Sequence, residues 1–471
     1  MNSVKGRGIV RRALVLLVAC GLTLAGTAAS GAAAAEEGAQ QGGVSATLGR
    51  ITAGGGAVVH DRRRTGPVMA GLFEMKVDGG GTLQTYCVDI LTNTVDGAKY
   101  KETGWGESSL HDNPNAGRIR WILQHSYPQV NDLAALAKDS GAGTLDANSA
   151  AAGTQVAVWR YSDSVKVDAV SPEAQKLADY LYGHAEDTPE PQASLTLTPA
   201  AVSGRAGGRI GPVTVRTDAS SVTVMPSAAA VAKNVRLVDK AGKPVTTTGN
   251  GGEVYFDVPA GTPDGSAALK ATAATKVPVG RAFIGDHTRT QTMILAGSSE
   301  STVSAGAGAT WAAEGAIPAV TARKDCAAGG VQVAVENKGD RPFTHELQGR
   351  PHTVAPGRTE TTLVRIGEDQ AYRLQVTGPG GFARTFSGIL DCRTAETAAA
   401  EGSGTTRPSP AASPVVAHKA GTGGGPVTGG DLAGTGGSGA TPEVAGVAIA
   451  LIVVGGGAVF LLRRTEAAGD Q

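Results

Sequence analysis

Residues 72–90, LFEMKVDGGGTLQTYCVDI, contain two strand-like runs joined by a turn. The runs at 72–77 and 82–90 are rich in apolar and β-branched residues, and Asp78-Gly79-Gly80-Gly81 separates them. Glycine-rich turns of this kind connect antiparallel strands. The stretch therefore predicts a β-hairpin with Cys87 on its second strand.

Residues 146–160 predict a helix that contains Thr154-Gln155-Val156-Ala157-Val158-Trp159. Small and apolar residues recur there at helical spacing, and Gln155 stands one helical turn before Trp159. A glutamine in this setting is unusual for a solvent-facing side and costly in a core, because a buried amide is unfavourable unless its polar atoms are satisfied. One chemical solution is to convert the amide into a covalent bond.

The four cysteines differ in their surroundings. Cys20 lies in an N-terminal apolar segment. Cys326 and Cys392 bracket a short strand-rich stretch and are predicted to form a structural disulfide, as cysteines of small extracellular domains commonly do. Cys87 is then left without a partner, which is notable in a secreted protein. It fits an inert buried thiol, an intermolecular disulfide or a catalytic nucleophile.

The two stretches around Cys87 and Gln155 carry a resemblance. Tyr86-Cys87-Val88-Asp89 and Thr154-Gln155-Val156-Ala157-Val158-Trp159 resemble the motifs of the thioester domains of Gram-positive surface proteins, the Thr-Gln-x-Ala class. The resemblance covers about residues 46–185. It implies an α+β thioester domain at 45–188, in which the Cys87 sulfur bonds to the side-chain carbonyl of Gln155 with loss of ammonia.

The same resemblance assigns roles to further residues. Tyr86, Thr154, Ala157 and Trp159 are expected to support the thioester as motif residues. The thioester itself is expected to react once with an amine of a partner and form a covalent amide. The resemblance therefore implies a binding protein that is not an enzyme, with no catalytic residues in the turnover sense.

The N-terminus predicts a secretory signal peptide at residues 1–35. A basic stretch that includes Lys5 and Arg12 precedes a short apolar run, and Ala33-Ala34-Ala35 offers a cleavage site. The apolar run is too short to span a bilayer. A lipoprotein-type box ends at Cys20 and is the alternative to ordinary cleavage.

The C-terminus, residues 432–471, resembles a sortase sorting signal. Leu432, Ala433, Thr435 and Gly436 match the motif Leu-Ala-x-Thr-Gly that class E sortases read, and an apolar run at 444–462 follows. The run is long enough for a transmembrane helix. The resemblance implies cleavage after Thr435 and covalent attachment to peptidoglycan. A plain single-pass anchor is the alternative.

Strand-rich sequence fills the middle of the chain. Alternating β-branched residues predict an immunoglobulin-like β-sandwich at 190–320 and a second, smaller, disulfide-closed sandwich at 321–395. Residues 396–431 are mostly Gly, Pro, Ser, Thr and Ala and predict a disordered, wall-spanning linker. We therefore expect a multidomain chain: an α+β thioester domain, two all-β domains, a disordered linker and a C-terminal transmembrane helix.

Composition and motifs narrow the function. Lys plus Arg and Asp plus Glu are equal at 42 each, which gives no electrostatic reason to expect a nucleic-acid partner. No phosphate-loop, dinucleotide or zinc motif occurs, so no cofactor and no metal site are expected. Three functions compete: a wall-anchored covalent adhesin, a cysteine-dependent enzyme in which His125 or His60 activates Cys87, and an inert wall protein.

Overall fold

The computed structural model describes residues 42–61 and 65–392 of the chain. The predicted signal peptide, the linker at 396–431 and the sorting signal at 432–471 with its apolar run lie outside these residues. Within the described part, no helix is both long and apolar enough to span a bilayer.

Among the described residues, the first part of the chain combines five strands with four α-helices and one 3-10 helix, Trp105–Glu107. The predicted hairpin is confirmed, because strands two and three pair from Phe73 opposite Thr85 to Lys76 opposite Thr82. The strands are β1 Ser45–His60, β2 Thr65–Val77, β3 Thr82–Cys87, β4 Lys99–Thr103 and β5 Val167–Ala169. The helices are α1 Ala116–Gln124, α2 Leu133–Asp139, α3 Ala147–Ser162 and α4 Pro172–His184.

Helix α3 has a defined start and a buried course. The Asp146 carboxylate accepts a hydrogen bond from the Ser149 amide at 2.7 Å, and the Ser149 hydroxyl accepts one from the Asp146 amide at 3.0 Å. This reciprocal cap fixes the first turn of the helix. Every residue from 150 to 159 is buried. The helix that carries Gln155 therefore runs through the core of the first part.

The second part of the chain is all-β apart from one short helix. The elements are β6 Leu195–Thr198, β7 Ala201–Arg205, β8 Arg209–Thr217, β9 Val222–Pro226, α5 Ala228–Ala232, β10 Arg236–Val238, β11 Thr247–Thr248, β12 Glu253–Asp257, β13 Gly265–Lys276, β14 Ala282–Gly285, β15 Met293–Ser298 and β16 Glu300–Ala312. One sheet has the strand order β10-β12-β8-β6, and another has the order β11-β9-β13-β16-β7. The immunoglobulin-like classification of this part stays a prediction.

Strands β14 and β15 do not join either of those sheets. They follow one another between β13 and β16, and they enter the sheet of the first part in the order β2-β3-β15-β14-β4-β1. Because β1 also pairs with β2, these six strands close into a barrel, with β5 added beside β1. Residues 282–298 were predicted as part of the sandwich at 190–320, but their strands complete the first part instead. Apolar residues in the sequence favour strands in this region, but they do not show which strands β14 and β15 pair with.

A buried ion pair holds the two parts together at this point. Arg281 Nε lies 2.9 Å from Glu102 Oε1, and both side chains are almost fully buried. Glu102 also accepts hydrogen bonds from the amides of Val44 and Ser194, at 3.1 and 3.0 Å. Buried charges are tolerated only when they are paired and hydrogen-bonded in this way. The junction therefore fixes the start of β14 against β4.

The third part is a smaller pair of sheets. Its strands are β17 Pro318–Asp325, β18 Gly330–Asn337, β19 Phe343–Leu347, β20 Arg350–Val354, β21 Arg358–Arg365, β22 Gln370–Gly378 and β23 Phe382–Leu390. The strand orders are β17-β18-β21 and β20-β19-β22-β23. The predicted disulfide is confirmed: Cys326 and Cys392 are bonded, with their Cα atoms 5.2 Å apart. Arg289, in the loop between β14 and β15, lies 2.6 Å from Asp369 and contacts this part.

Candidate thioester site

Cys87 is the last residue of β3, at a place where the sheet changes partners. Pairing between β2 and β3 ends at Thr85. On the other side, Cys87 lies opposite Met293 of β15, and the next amide, that of Val88, donates to Thr292 O at 3.1 Å. Backbone groups of adjacent strand residues alternate in direction. The amide and carbonyl of Cys87 therefore face away from β15, into the gap beyond the end of the β2–β3 pairing.

The side chain of Gln155 fills that gap. Its carbonyl oxygen Oε1 accepts a hydrogen bond from the Cys87 amide at 2.9 Å, and its Nε2 donates to the Cys87 carbonyl at 2.9 Å. Gln155 is fully buried. Its amide thus takes the place that the backbone of a neighbouring strand would occupy. The two hydrogen bonds offset the desolvation cost of the amide and hold its carbonyl carbon beside Cys87.

The Cys87 thiol lies in a dry environment. Cys87 is 3% exposed, and its Sγ lies 3.7 Å from the Sδ of Met293. Burial raises the pKa of the Cys87 thiol well above its ordinary value, and the carboxylates of Asp163 and Asp89 raise the pKa further. The thiolate is therefore disfavoured here, and the neutral forms of this sulfur, a thiol or a thioester, are favoured.

The chain that follows Cys87 is held from two sides. Asp163, at the end of α3, accepts a hydrogen bond from the Ile90 amide at 3.0 Å. The Asp89 carboxylate accepts one from the Leu91 amide at 3.1 Å, which forms a tight turn. From the other side, the side-chain nitrogen Nε2 of Gln291 donates a hydrogen bond to the Asp89 carbonyl. These contacts fix the exit of β3 relative to both α3 and β15.

The supporting residues of the motif pack helix α3 against β3. Tyr86 donates a hydrogen bond to the Tyr127 carbonyl at 2.9 Å, and the Thr154 hydroxyl donates one to the Ala150 carbonyl of its own helix at 2.8 Å. Burial raises the pKa of Tyr86 above its ordinary value, so its hydroxyl stays protonated. Ala157 is fully buried, and Trp159 is 3% exposed, with an Nε1 that has no hydrogen-bond partner among the described residues. Tyr86 is therefore fixed to the loop after α1, and Thr154 is fixed within helix α3.

The two histidines proposed as bases for an enzyme are engaged elsewhere. His125 Nδ1 contacts the Trp121 carbonyl at 2.8 Å, and its ring stacks on that indole at 4.0 Å. His60 Nε2 lies 3.3 Å from Asp168. In the described ranges, neither ring hydrogen-bonds the Cys87 sulfur.

Sequence reasoning missed Met293 and Gln291. Met293 is 206 positions from Cys87 and Gln291 is 202 positions from Asp89, and they lie in a strand and loop assigned to another domain. The continuous apolar run from Met293 to Ala296 is typical of a strand and carries no signal for the neighbour of that strand.

One group of carboxylates is close enough to hold a metal ion within the described part of the chain. Oxygen atoms of Glu368, Asp369 and Asp391 lie within 4.8 Å of one another, in the third part. Burial and the neighbouring carboxylates raise the pKa of Asp391 to about 7. Asp369 is already paired with Arg289, which reduces the negative charge available to a cation.

Comparison with known families agrees with this geometry. Residues 84–187 match the family model of the thioester domain. That range contains Cys87, Gln155 and all of helix α3. Residues 318–389 match the C-terminal domain of bacterial phospholipase C, which coincides with the third part. The matches and the strand-rich remainder support a multidomain protein with a thioester domain.

Similar proteins of known structure are distant. The chain is 14% identical to the Bacillus anthracis TIE protein, over 75% of this chain and 81% of that chain, with a TM-score of 0.26. It is 19% identical to the thioester domain of the Enterococcus faecium TIE86 protein, over 57% of this chain and 96% of that chain, with a TM-score of 0.27. Neither TM-score establishes a shared fold. No curated protein matches the chain.

Proposed function

We propose that this chain is a wall-anchored surface adhesin whose Cys87–Gln155 thioester forms a covalent amide with an amine of a partner. The observation that carries the proposal is the pair of hydrogen bonds, each 2.9 Å, between the Gln155 amide and the backbone of Cys87. They place a buried thiol and a buried amide side by side, inside a segment that matches the thioester domain family.

Thioester formation exchanges one bond for another. The Cys87 sulfur attacks the side-chain carbonyl carbon of Gln155, the carbon–nitrogen bond breaks, and ammonia leaves with the proton of the thiol. Negative charge develops on Oε1 during the attack. The Cys87 amide already donates to that oxygen and stabilises the charge without rearrangement. Fixing the two groups together supplies an effective molarity of about 10⁵ M or more.

Burial then preserves the thioester. Val88, Val158 and Trp159 are buried close to the reacting pair in sequence, and they form part of one apolar core with Cys87. Water has limited access to such a bond.

Reaction with a partner uses the same carbon. An amine of the partner attacks the Gln155 carbonyl carbon, the carbon–sulfur bond breaks, and Cys87 leaves and takes up a proton as a thiol. The product is an amide between Gln155 and the partner. Each site reacts once, so the chain acts in stoichiometric amounts and not as an enzyme.

The remaining parts display this head at the cell surface. In the proposal, residues 1–35 direct secretion, and a class E sortase reads Leu432, Ala433, Thr435 and Gly436 and joins Thr435 to peptidoglycan. The run at 444–462 holds the precursor in the membrane as a transmembrane helix. The two β domains, both immunoglobulin-like, and the linker at 396–431 form the stalk. The order of these segments in the sequence supports this arrangement.

Amine labelling tests the proposed chemistry. Methylamine should add once per chain, on Gln155, and Cys87 should become alkylatable only after this reaction, in protein denatured for the alkylation step. The aminolysis breaks the carbon–sulfur bond and leaves the thiol behind. A cysteine-dependent enzyme would give the opposite result, with Cys87 alkylatable from the start and no amine retained on Gln155.

Cell fractionation tests the anchoring separately. Deletion of residues 432–436 should move the protein from the peptidoglycan fraction to the membrane or the medium. A deleted form that stays in the detergent-extracted wall would contradict the sortase assignment.

A further inference from the structure

The strand that flanks Cys87 comes from outside the segment that matches the thioester domain. The family match ends at residue 187, whereas β15 begins at Met293. Without β14 and β15, the barrel is open between β3 and β4, since these two strands pair with β15 and β14 and not with each other. The open edge would be the strand that carries the reactive sulfur.

Three contacts from β15 and its preceding loop fix three consecutive residues of the site. Met293 Sδ lies 3.7 Å from Cys87 Sγ. Thr292 accepts the hydrogen bond of the Val88 amide at 3.1 Å. Gln291 donates to the carbonyl of the next residue, Asp89. The hairpin therefore positions the reactive cysteine and the turn after it.

Met293 contacts the one reacting atom that the backbone does not fix. Hydrogen bonds to Gln155 hold the amide and carbonyl of Cys87, so the sulfur retains only rotation about the Cα–Cβ bond. Cys87 and Met293 form a non-hydrogen-bonded cross-strand pair, in which side chains approach most closely. Met293 is fully buried and fills the space beside the sulfur.

We propose that the hairpin at 282–298 is part of the thioester site and that Met293 is a positioning residue for the Cys87 sulfur. Met293 limits the rotation of the sulfur and keeps water from the carbon–sulfur bond. The inference rests on the proposed thioester and adds a requirement: the second part of the chain must be folded for the bond to form and persist.

Substitutions in the hairpin separate positioning from general stability. Met293→Leu keeps an apolar side chain of similar volume, whereas Met293→Ala leaves space beside the sulfur. Ile284→Ala is the matched control, because Ile284 is a buried apolar residue of the same hairpin that pairs with Lys101 of β4 and not with β3. All variants are made in the mature full-length chain. Each is measured for thioester content by intact mass, for the half-life of the thioester in water, and for thermal unfolding.

We expect Met293→Ala to shorten the half-life by about tenfold or more, since small displacements at a reacting centre have effects up to about a hundredfold. Met293→Leu should stay within about twofold of wild type. Ile284→Ala should lower the unfolding temperature and leave the half-life of the folded protein unchanged. If Met293→Ala does not fold, Met293→Val gives the answer, because the β-branched valine is well suited to a strand and has a shorter reach to the sulfur.

Two results would overturn this inference and leave the proposed thioester chemistry standing. One is a folded Met293→Ala, or Met293→Val in its place, with the wild-type half-life. The other is an equal loss of half-life in Ile284→Ala, which would reduce Met293 to a general packing residue. A wild-type protein that never shows the mass of a thioester would instead remove the proposed function, and the inference with it.

Discussion

The barrel and the disulfide-closed third part both place cysteine sulfur in a buried position, but with different partners. Cys326 and Cys392 stand opposite each other, 66 positions apart, and form a disulfide that closes a compact unit. Cys87 stands opposite a methionine sulfur and beside a buried amide, and its neighbours come from residues 68 and 206 positions away. The reactivity of a buried cysteine is therefore set by the group that the fold brings to it.

The largest expected effect separates the two kinds of cysteine. Cys87→Ala should abolish covalent labelling by a biotinylated primary amine, because the acyl group can no longer be activated. The double variant Cys326→Ala and Cys392→Ala is the matched control, and it should label as wild type does. Labelling is read after boiling in detergent and reductant. Equal labelling of Cys87→Ala would mean that the amine enters by another route.

The junction between the first and second parts offers a second comparison. Arg281→Met should destabilise the barrel by about 3–5 kcal/mol, because it leaves the Glu102 carboxylate buried without its partner. The double variant Arg281→Met and Glu102→Gln should recover part of this loss, since no charge then remains buried. Urea unfolding measures both. A double variant that loses as much unfolding free energy as Arg281→Met, or more, would show that Arg281 and Glu102 do not stabilise each other.

Removal of the disulfide should have a smaller and more local effect. The bond closes a loop with a sequence separation of 66, and loss of such a constraint typically costs about 2–4 kcal/mol. Cys326→Ala with Cys392→Ala should lower the unfolding free energy of the third part by about this amount and leave the thioester content unchanged. A parallel loss of the thioester would show that the third part also supports the site.

Much of the first part could be predicted from the sequence, and the reasons are local. The glycine turn at 78–81 marked the hairpin, and the helix predicted at 146–160 is α3, which begins directly after Asp146. The disulfide followed from two cysteines at the borders of a strand-rich stretch. Each of these signals lies within the element that it defines.

The closure of the barrel could not be predicted, because it depends on strand partners. Met293 to Ala296 are all buried, and a continuous apolar run fits a strand of a sandwich as well as a strand of a barrel. Nothing near Gln155 in the sequence shows that its amide would replace a missing strand beside Cys87. The resemblance of the two motifs brought these residues together, while the contacts that hold them came from the structure.

The smallest expected effect is a pH dependence in the third part. His345 is 3% exposed, and neither of its ring nitrogens has a hydrogen-bond partner in the described part of the chain. Burial lowers the pKa of His345, and the nearby His352 lowers it further. The folded state therefore binds fewer protons than the unfolded state, whose histidine titrates near pH ~6.5.

The third part should be most stable above about pH 6.5, where the histidine of the unfolded state is neutral. Its stability should fall as the pH drops toward the lowered pKa of His345. His345→Leu should flatten the dependence between about pH 7.5 and 5, measured by thermal unfolding. An unchanged pH profile in His345→Leu would assign the dependence to other groups.

The intact mass of freshly purified mature protein, kept free of reductant and amine buffers, tests the central claim most directly. The account predicts a mass lower than that of the mature sequence by one ammonia, in addition to the two hydrogens lost in the Cys326–Cys392 disulfide. Cys87→Ala and Gln155→Ala, each compared with its own sequence, should lose only the two hydrogens. A folded wild-type protein that lacks only those two hydrogens would contradict the thioester.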